Sequence, residues 1–165
     1  MDFFKKLKEN INWKLLIKNL AIPLLVGIIS GFATKSANEE FTATAVQPAF
    51  TPPPWVFPVA WTILYTLMGI SAYLIETSEY NTGKKNRALI TYYISLFFNF
   101  CWSFIFFTAG QYLFAFIWLV ILLALVVIYT VKYYKINRIA SYLNIPYIFW
   151  LIFAGILNFS IYLLN

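Results

Sequence analysis

Five long apolar stretches dominate this chain, and their central parts carry almost no ionisable side chain. A hydrocarbon core about 30 Å thick is crossed by about 20 residues of α-helix, and each stretch has that length. We place the spans at about residues 13–34, 55–77, 88–108, 112–131 and 140–164. The prediction is an all-α integral membrane protein, in which residues 1–165 form a single domain with a bundle of five transmembrane helices.

Composition agrees with that class and excludes two others. Of the 165 residues, 62% are hydrophobic and 11% are charged, whereas about a quarter of a soluble domain is charged. A transmembrane β-barrel would need short segments of alternating polarity, but residues 117–129 are apolar on every face. Little chain remains outside the spans, so we expect no second, soluble domain.

The basic residues predict the orientation in the membrane, because five crossings bring three groups of them to the same side. These groups are Lys5, Lys6, Lys8, Lys14 and Lys18, then Lys84, Lys85 and Arg87, and finally Lys132, Lys135 and Arg138. The opposite side has only Lys35. The positive-inside rule then predicts a cytoplasmic N-terminus and an outside C-terminus in a bacterial cell membrane. The net charge of +6 follows from this topology, so no nucleic-acid partner is expected.

The first span has an alternative interpretation. Lysines, an apolar run and small residues near Gly31 also describe a secretory signal peptide, although the charge-free run of residues 20–34 is long for one. We therefore favour a membrane helix. Ahead of it, Phe3, Phe4 and Leu7 alternate with lysines, a pattern that fits either a segment on the anionic inner leaflet or a frayed tail.

Residues 35–54 form a long connection between the first two spans, on the outside in the predicted topology. It contains few glycines or serines but includes Phe41, Val46 and Phe50, and it ends in three consecutive prolines. Long loops in compact domains are commonly lids or binding loops. Because its apolar side chains need cover, we expect a partly ordered lid.

Aromatic and amide side chains recur on three of the spans at steps of three and four residues, which places each set on one helix face. The sets are Trp61, Tyr65, Met68 and Ala72, then Asn99, Trp102 and Phe106, and then Trp150, Ala154, Asn158 and Ile161 behind Pro146 and Tyr147. An amide at membrane depth needs a hydrogen-bond partner, so both asparagines should face the bundle interior. Each amide fits helix-to-helix bonding or a pocket wall, and three facing stripes with a tryptophan each favour the pocket.

Catalytic and metal-binding signals are weak. Cys101 is the single cysteine and histidine is absent, which removes the usual general base, metal ligand and axial haem ligand. No acid–base pair, metal cluster or nucleotide motif stands out in the sequence. We therefore expect no metal site and no required cofactor.

The segment Phe50, Thr51, Pro52, Pro53, Trp55, Phe57, Pro58, Trp61, Leu64 and Tyr65 resembles the signature of the tryptophan-rich sensory protein family, relatives of the translocator protein once called the peripheral benzodiazepine receptor. Two further blocks resemble that family in matching order. They are Asn99, Trp102, Phe106 and Phe107, and Pro146, Tyr147, Trp150, Phe153, Ala154, Leu157 and Asn158. The resemblance runs from about residue 48 to the end of the chain.

The resemblance implies a five-helix bundle, commonly a homodimer, that binds porphyrins, sterols and isoquinoline or benzodiazepine drugs in a cavity under the first loop. Together with the three sets of residues on helix faces, the resemblance gives the candidates for ligand binding. They are Trp61, Tyr65, Asn99, Trp102, Tyr147, Trp150, Ala154 and Asn158. Residues 38–42 depart from the family's first-loop pattern, and no basic residue follows the fifth span as in the animal proteins' cholesterol motif. We therefore make no firm prediction of sterol binding.

Three classes of function follow. The first is a receptor or carrier for tetrapyrroles, in which a porphyrin stacks on indoles with its carboxylates near Lys35, and metal-free porphyrin binds at least as well as haem. The second is light-driven porphyrin degradation through Trp61 or Trp150. The third is a transporter or an assembly partner. Gly27 and Gly31 form a small-xxx-small step, which permits close helix packing either within one chain or between two.

Overall fold

The computed structural model describes residues 11–165, and their regular structure is entirely helical. The helices are α1 (Trp13–Ala33), α2 (Lys35–Thr44), α3 (Val56–Glu76), α4 (Thr82–Ser103), α5 (Tyr112–Tyr134), α6 (Arg138–Tyr142) and α7 (Ile145–Leu164), with a π-helical turn at Phe104–Thr108. The prediction for the tail with Phe3, Phe4 and Leu7 lies outside the described residues.

Within residues 11–165, five helical segments are long and apolar enough to cross a membrane. They are Trp13–Ala33, Val56–Glu76, Thr82–Thr108, Tyr112–Tyr134 and Arg138–Leu164. The predicted fold class, an all-α bundle with five membrane spans, is confirmed. Neighbouring spans pack in the order α3, α1, α4, α5 and α7.

Close backbone approach between α1 and α3 depends on Gly69. A Cβ at this position would lie 2.8 Å from the Asn19 carbonyl oxygen and from the Leu20 Cα, a distance that side chains do not adopt. Pro23 lies inside α1 and has no N–H to donate to the Asn19 carbonyl. The two helices therefore meet at a point where one lacks a side chain and the other lacks a hydrogen bond.

The lysines on the described spans gather at one end of the bundle, which we call the basic end. Lys18 Nζ lies 2.6 Å from Glu76 Oε1, Lys85 Nζ donates to the Ser78 carbonyl at 2.8 Å, and Lys132 Nζ donates to Thr91 Oγ1 at 2.8 Å. The other end, which we call the mouth end, carries α2 and the 45–54 segment.

Two boundaries differ from the sequence prediction. The third span was expected at 88–108, but α4 begins at Thr82, because the Asn81 side chain caps it by accepting from the Lys84 N–H at 3.1 Å. Residues 35–54 were expected as one partly ordered loop, yet the first half of this segment is the helix α2.

The fifth span, expected as one helix over 140–164, is broken between α6 and α7 at Leu143 and Asn144. Pro146 explains the break, because it has no N–H to donate to the Tyr142 carbonyl and fits the first turn of a new helix. Asn144 is fully buried there. It accepts from the Tyr129 hydroxyl at 2.8 Å and donates to Ser71 Oγ at 2.6 Å, so three spans meet at this amide.

The π-helical turn at the end of α4 was not predicted. The Ala109 N–H bonds to the Phe104 carbonyl at 2.9 Å, a five-residue step, and Gly110 then takes a φ of +60°. A π-turn shifts the side chains that follow it around the helix axis, and such turns are frequent at functional sites. It brings both Phe106 and Phe107 to the cavity described below.

We predict that Asn144→Ala destabilises the bundle by about 1–3 kcal/mol, because it leaves the buried Tyr129 and Ser71 hydroxyls without their amide partner. Thermal unfolding in detergent measures this as a lower Tm. Asn38→Ala is the matched control, since Asn38 is exposed on α2, and its Tm should stay near wild type. Equal Tm values for the two variants would contradict this role of Asn144.

Candidate ligand-binding cavity

A cavity of about 730 Å³ lies at the mouth end, between α1, α3, α4 and α7 and beneath α2. Its volume is within the range of small-molecule sites. Of the residues that the structure describes, those lining the cavity include no Lys, Arg, Asp or Glu. The cavity therefore offers aromatic surface and neutral polar groups, without a formal charge.

Indole and phenol rings form the walls. Trp61 stacks on Tyr65 with ring centroids 5.2 Å apart and stands at 81° to Trp150 at 6.2 Å. On the α4 side, Trp102 stacks on Phe106 at 5.0 Å. Such ring pairs hold each other in fixed orientations, so the cavity has flat and preformed faces.

Asn99 joins three helices at the floor of the cavity. Its Oδ1 accepts from the Tyr65 hydroxyl on α3 at 2.6 Å, and its Nδ2 donates to the Tyr147 hydroxyl on α7 at 3.0 Å. An amide has two donors and two lone pairs, so one N–H and one lone pair stay available. Asn99 thus both forms hydrogen bonds between helices and lines the cavity, the two roles that the sequence left as alternatives.

Asn158 on α7 likewise lines the cavity and forms hydrogen bonds to other helices. Its Oδ1 accepts from Trp102 Nε1 at 3.3 Å, and its Nδ2 donates to the Tyr112 carbonyl at 2.8 Å. The Trp102 indole is therefore fixed by a hydrogen bond as well as by stacking on Phe106.

Helix α2 covers the mouth. Phe41 contacts Phe106 and Phe107 edge to face, with centroids at 5.1 and 5.6 Å. Beyond α2, the Asn165 amide bonds both backbone groups of Val46, at 2.9 Å to the N–H and 3.0 Å to the carbonyl. These contacts hold the 35–54 segment over the cavity as an ordered cover.

Seven of the eight predicted site residues line the cavity: Trp61, Tyr65, Asn99, Trp102, Trp150, Ala154 and Asn158. Tyr147 lies behind the wall, buried and bonded to Asn99. Lys35, expected near the carboxylates of a bound porphyrin, is not among the lining residues, and its Nζ lies 3.9 Å from Glu39 on the exposed side of α2.

Sequence reasoning missed the contribution of α1. Gly27 and Gly31 both line the cavity, and a Cβ on Gly27 would overlap the Tyr65 ring, whereas nothing lies within 4 Å of a Cβ on Gly31. The small-xxx-small spacing of the two glycines indicated close helix packing. It did not indicate whether the glycines face a helix of the same chain or of a second chain. Gly27 is used within this chain, as the space that admits Tyr65.

A five-span helical bundle with an uncharged aromatic cavity defines an integral membrane protein of a kind consistent with small-molecule binding. Residues 19–164 match the TspO/MBR family. The chain therefore belongs to the TspO/MBR family.

Relatives from distant organisms agree over most of the chain. The tryptophan-rich protein TspO of Archaeoglobus fulgidus is 39% identical over 150 residues, covering 91% of this chain and 96% of the relative. The protein of the same name from Chlorobaculum tepidum is 33% identical, covering 88% and 92%. The human translocator protein is 33% identical over 118 residues, covering 70% and 69%.

We predict that Gly27→Ala lowers the Tm while Gly31→Ala leaves it unchanged. The first methyl group must displace the Tyr65 ring and disturb its bond to Asn99, an overpacking that costs about 1–3 kcal/mol. The second methyl group enters open space one helical turn away, which makes it a matched control. A Tm loss confined to Gly31→Ala would instead show that the exposed glycine face is the packed one.

Proposed function

We propose that this protein is a membrane receptor or carrier for flat, largely apolar ligands, with tetrapyrroles as the main class. The observation that carries the proposal is a preformed cavity walled by Trp61, Trp102 and Trp150 from three separate spans. Aromatic pairs contribute about 0.5–1.5 kcal/mol beyond burial, so three indoles around one ring system favour a planar aromatic ligand. Isoquinoline and benzodiazepine-type compounds share this chemistry, and sterols share only its apolar part.

The polar groups of a tetrapyrrole would lie beneath the cover, apart from the macrocycle. Asn38, Thr42, Gln47 and Thr51 line the part of the cavity beneath the cover and supply neutral donors for carboxylates. The macrocycle would lie deeper, beside Trp61 and Trp150. No cofactor is required for such binding, since stacking and shape hold the ligand.

A sensor or transporter role in a membrane fits the family, whose members include proteins named translocator protein and tryptophan-rich sensory protein. We further propose that the basic end faces the cytoplasm of a bacterial cell, with the mouth end and the C-terminus outside, following the positive-inside rule. A homodimer, as in the resembling family, is part of the same proposal.

Light-driven oxidation of porphyrin, with dissolved dioxygen as the electron acceptor, is a second candidate, favoured by the position of Trp61 between Tyr65 and Trp150. These rings form a contiguous set of oxidisable groups beside the cavity. Porphyrin loss in the dark, or in a variant with both tryptophans replaced by phenylalanine, would exclude this mechanism.

We predict that Ala154→Leu weakens protoporphyrin binding at least tenfold, because the larger side chain fills the cavity without removing a hydrogen bond. Ala124→Leu is the matched control, since Ala124 is exposed on α5 and does not line the cavity. Titration of porphyrin absorbance against detergent-solubilised protein gives both dissociation constants. Unchanged binding by Ala154→Leu, with a normal Tm, would place the porphyrin outside this cavity.

We predict that metal-free protoporphyrin binds at least as tightly as haem. The chain contains no histidine, so iron gains no imidazole bond that would favour haem. Competition between the two ligands, followed by absorbance, measures the ratio of dissociation constants. A haem preference accompanied by the spectrum of protein-ligated iron would contradict binding by stacking alone.

A further inference from the structure

We propose that apolar ligands reach the cavity from the bilayer, through the seam between α3 and α7, and that the Trp150 side chain is the movable gate. The proposal rests on the cavity being a ligand site, as proposed above. It adds an access site on the lipid-facing surface and a kinetic role for one indole.

An apolar groove lies on the outer face of this seam. Its volume is about 570 Å³, and it is lined by Ala60, Ile63 and Leu64 of α3, by Pro146, Phe149, Trp150 and Phe153 of α7, and by Pro52. Ile63 and Phe149 are 54% and 67% exposed, so in a bilayer they face acyl chains. A ligand dissolved in the hydrocarbon core meets this groove without crossing water.

The groove and the inner cavity are adjacent across one layer of side chains. Pro52, Trp150 and Phe153 line both. The indole of Trp150 contacts Phe57 at 6.0 Å and Trp61 at 6.2 Å, both edge to face. The wall at this place is therefore a single layer of aromatic side chains, with the groove on one side and the cavity on the other.

Among residues 11–165, the direct hydrogen bonds between α3 and the last span lie at the basic end, on α6 and the turn before α7. There Ser71 Oγ donates to the Ala140 carbonyl at 2.7 Å and accepts from Asn144 Nδ2 at 2.6 Å. Along α7 itself the backbone seldom approaches α3. Toward the mouth end, aromatic side chains close the seam where the two backbones seldom approach each other. The seam can therefore open there by rotation of a side chain.

Trp150 differs from Trp102 and Trp118 in what holds its indole. Trp102 Nε1 donates to Asn158 Oδ1, and Trp118 Nε1 donates to the Phe98 carbonyl at 2.8 Å. The Trp150 Nε1 is buried and has no hydrogen-bond partner among residues 11–165. Buried indole N–H groups usually find a partner, and because this one has none, rotation of Trp150 breaks no hydrogen bond.

The alternative route, through the mouth, requires more contacts to break. Phe41 would have to leave Phe106 and Phe107, and the paired Asn165 bonds to Val46 would have to open. A flat apolar ligand also partitions into lipid before it meets the protein. Entry through the seam therefore requires fewer contacts to break for such a ligand.

The test is the rate of binding, because a gate changes association and dissociation together while a binding contact changes affinity. The full chain in phosphatidylcholine nanodiscs is mixed rapidly with protoporphyrin dimethyl ester, an uncharged probe, and porphyrin fluorescence is followed. We expect Ala60→Trp to lower both rate constants at least fivefold and to leave Kd within twofold. Ala124→Trp, on a lipid-facing position away from the seam, should match wild type.

Two further variants make the outcome decisive. Ile63→Trp fills the same groove and replaces Ala60→Trp if the latter fails to fold. Asn165→Ala loosens the cover, and the proposal expects wild-type rates from it. Faster rates in Asn165→Ala together with wild-type rates in both groove variants would overturn the proposal in favour of the mouth.

The remaining outcomes separate the two proposals. Absence of saturable binding by the wild type would remove the proposed function and the gate with it. Saturable binding with unchanged rates in the groove variants would remove the gate alone. Faster binding in the groove variants would show that an acyl chain normally occupies the groove and competes, which also contradicts an access role.

Discussion

Polar side chains at membrane depth have no water to bond, so their hydrogen bonds must form within the protein. The hydrogen-bonded chain Tyr65–Asn99–Tyr147 meets this requirement across α3, α4 and α7. It also sets the distances between the helices that carry Trp61, Trp102 and Trp150. The cavity thus depends on a structural contact, and the residues that keep the helices together are the residues that shape its floor.

The two ends of the bundle differ in how they are held. Toward the basic end, Asn144 and Ser71 join α3, α5 and the α6–α7 turn through buried hydrogen bonds, and closely packed tyrosines fill the core. Toward the mouth end, aromatic side chains and the cover replace direct helix contact. A rigid base with a cavity above it keeps the ring surfaces in place when the ligand is absent, which lowers the ordering cost of binding.

Much of this arrangement was predictable from residue spacing. The stripes through Trp61, Asn99 and Trp150 predicted the inward faces, because a helix fixes which residues share a side. Tyr147 follows the same pattern but lies one layer deeper, since spacing gives the direction of a side chain and not its depth. The family assignment rests on these motifs and on the match over residues 19–164.

Other features depend on contacts that spacing does not contain. The π-helical turn at Phe104–Thr108 has no clear sequence signal, and both Phe106 and Phe107 line the cavity from this turn. The break before α7 was readable from Pro146 but was outweighed by the length of the apolar run. Gly27 faces Tyr65, a partner that becomes visible only when α1 is placed against α3.

The central claim is that indoles from three spans enclose one shared ligand site. An experimental structure of the protein with a bound porphyrin in a lipid environment tests it most directly. We expect the macrocycle inside the cavity, beside Trp61 and Trp150 and beneath α2, with its polar edge toward Gln47 and Thr51. A macrocycle bound only on the lipid-facing surface, with the cavity empty, would contradict it.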